Sequence, residues 1–92
     1  MASVTVSVSS PLRVFAGSAA ELALHADTLR GALAEIARLD PRLYRAVCDE
    51  TGRVRRHVNV YVNDDHVSER GGLDATLAPG DVITLLPAVS GG

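Results

Sequence analysis

The stretch from Leu29 to Leu39 constrains this chain most. Leu29, Ala32, Leu33, Ile36 and Ala37 recur at i, i+3, i+4, i+7 and i+8, a single apolar stripe at helical spacing. Arg30, Glu35 and Arg38 fall off the stripe. Asp27 or Thr28 supplies a side-chain oxygen to cap the first turn, and Asp40-Pro41 closes the helix because a residue before proline is pushed out of the α region. Gly31 costs about 1 kcal/mol against alanine inside a helix, a cost the clean stripe tolerates. The other periodic segments read as strands. A helix with one apolar stripe needs a sheet face to cover it, which predicts an α+β domain of two layers.

The strand signals surround that helix. Ser3 to Ser9 alternates strictly, Val4, Val6 and Val8 on one side and Thr5, Ser7 and Ser9 on the other, the period-two mark of a half-buried strand. Pro11 is expected to end it, and Leu12 to Phe15 then runs into a turn at Gly17-Ser18. A second strand follows at Glu21 to Ala26. Beyond the helix, Leu43 to Cys48 reads as a short helical turn packing Leu43 and Val47, and residues 49–56 as a loop. His57 to Val62 alternates again, Asn63-Asp64-Asp65 is a turn, and His66-Val67 suits a short edge strand. Gly71-Gly72-Leu73 and Ala78-Pro79-Gly80-Asp81 lead to a final strand, Val82 to Leu86, expected to stop at Pro87, which has no N–H to give a ladder. That strand reads as apolar on both sides, which places it beside the first strand at the centre of a mixed sheet. The expectation is a β-grasp, ubiquitin-like fold: a mixed sheet of four to five strands packed on one main helix. Residues 1–86 form the body and 87–92 a flexible tail.

Composition narrows the function. Ninety-two residues with a net charge of −2 make one domain. They contain no basic cluster interleaved with aromatics, so nucleic acid is not an expected partner. No apolar run reaches the ~18 residues a membrane helix needs, and no secretory leader is visible at the N-terminus. One cysteine, Cys48, cannot form an internal disulfide and fits a reducing, cytoplasmic setting. The nine basic side chains are all arginine. Without lysine, the chain cannot be linked into polymers of itself through side-chain amines.

The residues with reactive side chains do not assemble into a catalytic motif. His25, His57 and His66 lie far apart with no second ligand at metal-binding spacing, so no metal is expected. Cys48, beside Asp49 and Glu50, has no neighbouring cation to lower its pKa. Asp64-Asp65 reads as a solvent-facing turn, and Gly71-Gly72 lacks the Lys-Ser/Thr of a phosphate loop. No catalytic residue of its own is expected, and the chain is not read as an enzyme.

The tail is the remaining feature. After Pro87 come Ala88, Val89, Ser90, Gly91 and Gly92, small residues ending in two glycines that lack a Cβ and admit another backbone closely. Six extended residues reach about 20 Å, enough to thread a narrow tunnel and present the α-carboxylate of Gly92 to a second protein's active site.

These features together resemble the MoaD/ThiS family of prokaryotic sulfur carriers. The likeness rests on the β-grasp pattern, the run Val58-Asn59-Val60-Tyr61-Val62-Asn63-Asp64, Gly71-Gly72-Leu73, Pro79-Gly80-Asp81, and the ending from Leu85 to Gly92. It spans essentially the whole chain and is closest to the branch that serves cysteine biosynthesis. The resemblance implies that Gly92 is adenylated by an E1-like adenylating and sulfur-transferring enzyme, then converted to a thiocarboxylate. ATP and Mg²⁺ are used by that partner, and no cofactor is bound by the carrier. The sulfur would pass to a cysteine-synthase-like acceptor. The alternatives are a thiazole-synthase-like acceptor making thiamin or a thiosugar, the small-subunit role in molybdopterin synthase, a ubiquitin-like protein modifier, or a plain interaction module. Relatives dock through the open sheet face and residues flanking the tail, which nominates Phe15, Tyr61, Leu85 and Leu86 as docking residues.

Overall fold

The computed structural model describes residues 1–16 and 20–87, with backbone only for 14–16. Strands β1 (Ser3–Val8) and β2 (Glu21–His25) bracket helix α1 (Ser10–Ala16); helices α2 (Leu29–Leu39) and α3 (Pro41–Val47) follow, then β3 (Val58–Val62), β4 (Asp65–His66) and β5 (Val82–Pro87). Two 3-10 turns, Val67–Arg70 and Gly72–Asp74, lie between β4 and β5. The sheet runs β2-β1-β5-β3-β4, with β1 and β5 parallel and the other neighbours antiparallel. This is the mixed five-stranded sheet of a β-grasp fold, with β1 and β5 adjacent and β5 at its centre.

The helices cover one face of the sheet. Val4, Val6 and Val8 of β1, Val58, Val60 and Val62 of β3, and Ile83 and Leu85 of β5 meet Leu29, Ala32, Leu33 and Ile36 of α2 in one core. Ala37 stays at the margin of the stripe. Thr28 caps α2, its Oγ1 accepting from the Gly31 N–H at 3.1 Å. Asp40 acts at a junction: it ends α2, and its carboxylate accepts from the Leu43 N–H at 3.2 Å to cap α3, with Pro41 in the first turn where a missing N–H costs nothing. Leu43 and Val47 are fully buried beneath α3. Cys48 joins the same core.

Several expectations need correction. Two further helices of seven residues each, α1 and α3, join the main eleven-residue helix α2 in the helical layer. Ser10–Ala16 forms α1 because Pro11, read as a strand terminator, sits in a first helical turn that proline favours, and Leu12 anchors that turn in the core. The final strand carries apolar residues on both faces but is buried on one only: Ile83 and Leu85 are buried, whereas Val82 is 37 % exposed and Leu86 half-buried. Its central place comes from pairing on both edges. It also runs through Pro87, which lies opposite Val58. The Val58 N–H turns back to the Arg55 carbonyl at 3.0 Å, so this pair exchanges no ladder bonds and proline is tolerated there. On the other edge, Ser9 donates to the Leu85 carbonyl at 3.1 Å, and the next donor in a parallel ladder would be the missing N–H of residue 87. Pro87 therefore ends pairing with β1 and leaves pairing with β3 intact.

Candidate functional site

β5 is set up from its start by a tight turn. Ala78-Pro79-Gly80-Asp81 closes with the Asp81 N–H on the Ala78 carbonyl at 3.1 Å, and Gly80 takes a φ of +89°, the left-handed value that the third position of a type II turn requires. The Asp81 carboxylate accepts from the Ala78 N–H at 2.9 Å and from the Asn63 amide at 3.0 Å, which holds its pKa below the usual carboxylate range. Asn63 in turn accepts from the Val82 N–H at 3.0 Å. Strand β5 thus starts in a locked turn and runs between β1 and β3 to Pro87, the root of the predicted tail.

Ala88, Val89, Ser90, Gly91 and Gly92 lie outside the described residues, as does the side chain of Phe15. The surroundings of the root are described. On the open sheet face, Tyr61, Thr84, Leu86 and Asn59 line up by strand register. Tyr61 meets the His66 ring edge-on, centroids 5.3 Å apart at 84°. The Ser68 N–H donates to His66 Nδ1 at 3.1 Å, so Nε2 carries the proton that faces Asn59 Oδ1 at 3.2 Å. That contact fixes Tyr61 and Asn59 on the face beside Leu86. Leu85 is corrected: it is fully buried against the helices and presents no surface to a partner. Leu86, its neighbour, points the opposite way.

On the helix side, Pro87 lines a hollow of about 210 Å³ with Pro11, Leu12 and Ala46, bounded by Arg55 and His57. A second, more polar cleft of about 410 Å³ adjoins it through Arg55 and His57 and is lined by Arg53, Arg56, Val54 and Asp49. The Arg55 Nε donates to the Arg45 carbonyl at 2.9 Å, anchoring that side chain to the end of α3. The sequence lists Arg53, Arg55 and Arg56 as loop residues. Their meeting with α1 and β5 is a tertiary event that no local pattern announces.

The three histidines do not converge, and among the described residues no group of histidine, cysteine and acidic side chains is placed to hold a metal. Burial, with the adjacent Asp49 carboxylate, pushes the Cys48 thiol up, away from nucleophilic use. No helix among the described residues is long and apolar enough to cross a membrane.

Comparison with known proteins then decides the family. The ThiS family model matches residues 6–92. This chain belongs to the ThiS family. It is 36 % identical over 91 residues to the sulfur carrier protein CysO of Mycobacterium tuberculosis strain H37Rv, covering 97 % of this chain and 98 % of that relative. The crystal structure of Mycobacterium tuberculosis CysO superposes with a TM-score of 0.81 at 35 % identity, covering 94 % of this chain and 99 % of that one. A chain of the Amycolatopsis orientalis BexX/CysO complex gives a TM-score of 0.82 at 34 % identity, over 97 % and 99 % of the two chains. The small archaeal modifier protein 1 of Methanosarcina acetivorans gives 0.82 at 30 % identity, over 100 % and 98 %. As a ThiS-family member the chain stands with small carrier proteins rather than with catalysts.

Proposed function

We propose that this chain is a cytoplasmic sulfur carrier in which the α-carboxyl of Gly92 is the carrying group, with cysteine synthesis as the favoured destination of the sulfur. The observation that carries this reading is the near full-length likeness to a sulfur carrier protein, 36 % identical over 91 residues. The fold supports it, because the tail leaves β5, a central strand with a neighbour on each side, and five residues beyond Pro87 reach about 17 Å.

The chemistry follows from the weakness of a carboxylate as an acyl donor. A Gly92 carboxylate oxygen attacks the α-phosphorus of ATP in an adenylating partner, and pyrophosphate leaves. A sulfide sulfur then attacks the acyl carbon, AMP leaves with one carboxylate oxygen, and the tail ends in a thiocarboxylate. A persulfide donor instead gives an acyl disulfide, from which a thiolate of the partner releases the thiocarboxylate by forming a disulfide with the donor sulfur. Tethered to a docked body, that sulfur is delivered with an orientation and local concentration that free sulfide lacks. The carrier supplies reach, a thin tail and a docking surface. ATP and Mg²⁺ belong to the partner. The acceptor would be a cysteine-synthase-like or thiazole-synthase-like enzyme.

The likeness to an archaeal modifier protein favours a second reading, attachment through Gly92 to amines of target proteins. One assay separates the two. With the adenylating enzyme of the same organism, ATP and a sulfur source, a carrier gains intact mass by one replacement of oxygen by sulfur. A modifier also accumulates as slower-migrating conjugates in cell extract. Deleting Gly92 is expected to abolish loading with an unchanged melting temperature; loading of the deletion variant would overturn the assignment.

A further inference from the structure

Arginine is distributed unevenly around the root of the tail. Arg30, Arg38 and Arg70 are ion-paired, with Asp74, Glu35 and Asp65. The other six have no carboxylate partner among the described residues. Three of those six, Arg53, Arg55 and Arg56, line the polar cleft, where Asp49 is the single acid, and that carboxylate is engaged by the Thr51 and Arg53 N–H groups. The acids of the 63–81 segment lie at the opposite end of the sheet: Asp64 and Asp65 follow the far end of β3, and Asp81 precedes the start of β5. At the end from which the tail departs, Arg13, Arg53, Arg55 and Arg56 outnumber Glu21, Asp49 and Glu50, so that end is locally basic on a chain whose net charge is −2.

We infer that the paired clefts beside Pro87 are the seat of an acidic protein surface: glutamate or aspartate side chains against Arg53, Arg55 and Arg56, and one apolar side chain in the hollow of Pro11, Leu12, Ala46 and Pro87. This rests on the carrier reading. Any enzyme that receives Gly92 must bring its tunnel mouth within about 17 Å of Pro87, close enough for its rim to reach the hollow that Pro87 lines and the cleft beside it. The charge on that rim is fixed by what is left uncompensated here. Arg53 and Arg56 are exposed and steer approach, whereas Arg55 is held by its bond to the Arg45 carbonyl and presents a preset donor. A nucleic acid fits less well. The hollow offers apolar surface that phosphate does not fill, and among the described residues no phenylalanine, tyrosine or tryptophan lines either cleft to stack a base.

The test is the KM for this carrier in thiocarboxylate formation, read by intact mass with the adenylating enzyme of the same organism. KM is measured at salt concentrations of about 50 and 200 mM, across which screening of exposed charges changes substantially. The double variant Arg53→Glu/Arg56→Glu is expected to raise KM about tenfold or more at low salt, leave kcat unchanged and lose most of the salt dependence, as for a steering charge at an interface rim. Glu69→Arg, beyond β4 at the far end of the sheet, is expected to leave KM within about twofold. The urea midpoint of each variant checks the fold. If the reversal perturbs it, Arg53→Gln/Arg56→Gln must show the same ordering with a smaller rise. An unchanged KM and salt slope in the reversal variant overturns the inference. So does retention of the wild type, but not the variant, on double-stranded DNA with KM unaffected. Failure of the wild type to load at all refutes the carrier reading instead, and this inference falls with it.

Discussion

Leu85 and Leu86 are adjacent, chemically identical, and predicted to behave in opposite ways. Leu85 is 0 % exposed and lies in register between Val8 and Val60, themselves 3 % and 1 % exposed. Truncation to alanine removes three carbons from a site walled by a central sheet that has little room to collapse, so Leu85→Ala should cost about 3 kcal/mol. A chain of 92 residues has a total stability of about 5–14 kcal/mol. The loss should lower the melting temperature by about 12–24 °C and the urea midpoint by about 1–3 M. Leu86 faces the open side, where water fills the vacated volume and no cavity forms, so Leu86→Ala should cost about 1 kcal/mol. The assay is urea denaturation followed by circular dichroism, paired with sulfur loading below both transitions. Leu85→Ala is expected to load normally while folded; a loading defect in Leu86→Ala would report docking. Equal destabilisation of the two variants, or a loss under about 1 kcal/mol for Leu85→Ala, would refute the assignment of β5 faces.

Three further outcomes are expected. Gly31→Ala should stabilise the fold by about 0.5–1 kcal/mol, because the new Cβ meets Thr28 Oγ1 at 3.5 Å and the Ala26 Cβ at 3.7 Å, ordinary contacts in a helical backbone; a lower melting temperature would refute it. The Asp81 carboxyl is held below its usual range first by the Ala78 N–H and then by the Asn63 amide. Its contribution is present above the unfolded value of about 3.9 and is lost as the pH falls through the lower folded value. Asp81→Asn should therefore lose stability at neutral pH, converge on the wild type in acid and flatten the acid limb of the urea midpoint against pH. Cys48, buried and with its thiol pushed up, should react with a thiol reagent at least about a hundredfold more slowly in the native protein than in denaturing urea.

The sequence announces some elements and hides others for physical reasons. β1, β3 and α2 are long enough for their periods to show, and the Val4-Val6-Val8 and Val58-Val60-Val62 faces emerge as read. At α1 the local signals conflict. Pro11 stops a strand and also starts a helix, and in seven residues Leu12 is the one described side chain that reaches the core, too little for a period to register. Helix α3 carries its own start signal in Asp40-Pro41, but the same pair marks the end of α2, and the stop signal masks the start. Pro87 misleads in the same way, because a missing N–H ends one ladder and not the other. In the candidate site, Leu85 and Leu86 cannot be ranked until the register assigns each a face. The arginine cleft exists only once residues 49–57 fold against α1 and the end of β5.

The position of β5 has a mechanical consequence. A pull on the C-terminal end runs along the strand axis and loads the ladders to β1 and β3 together, in shear. Neither can peel away bond by bond as an edge strand would. A partner that grips the last residues and draws on them would meet the resistance of the whole sheet. The carrier is thus suited to being handed from enzyme to enzyme by its end without being unravelled.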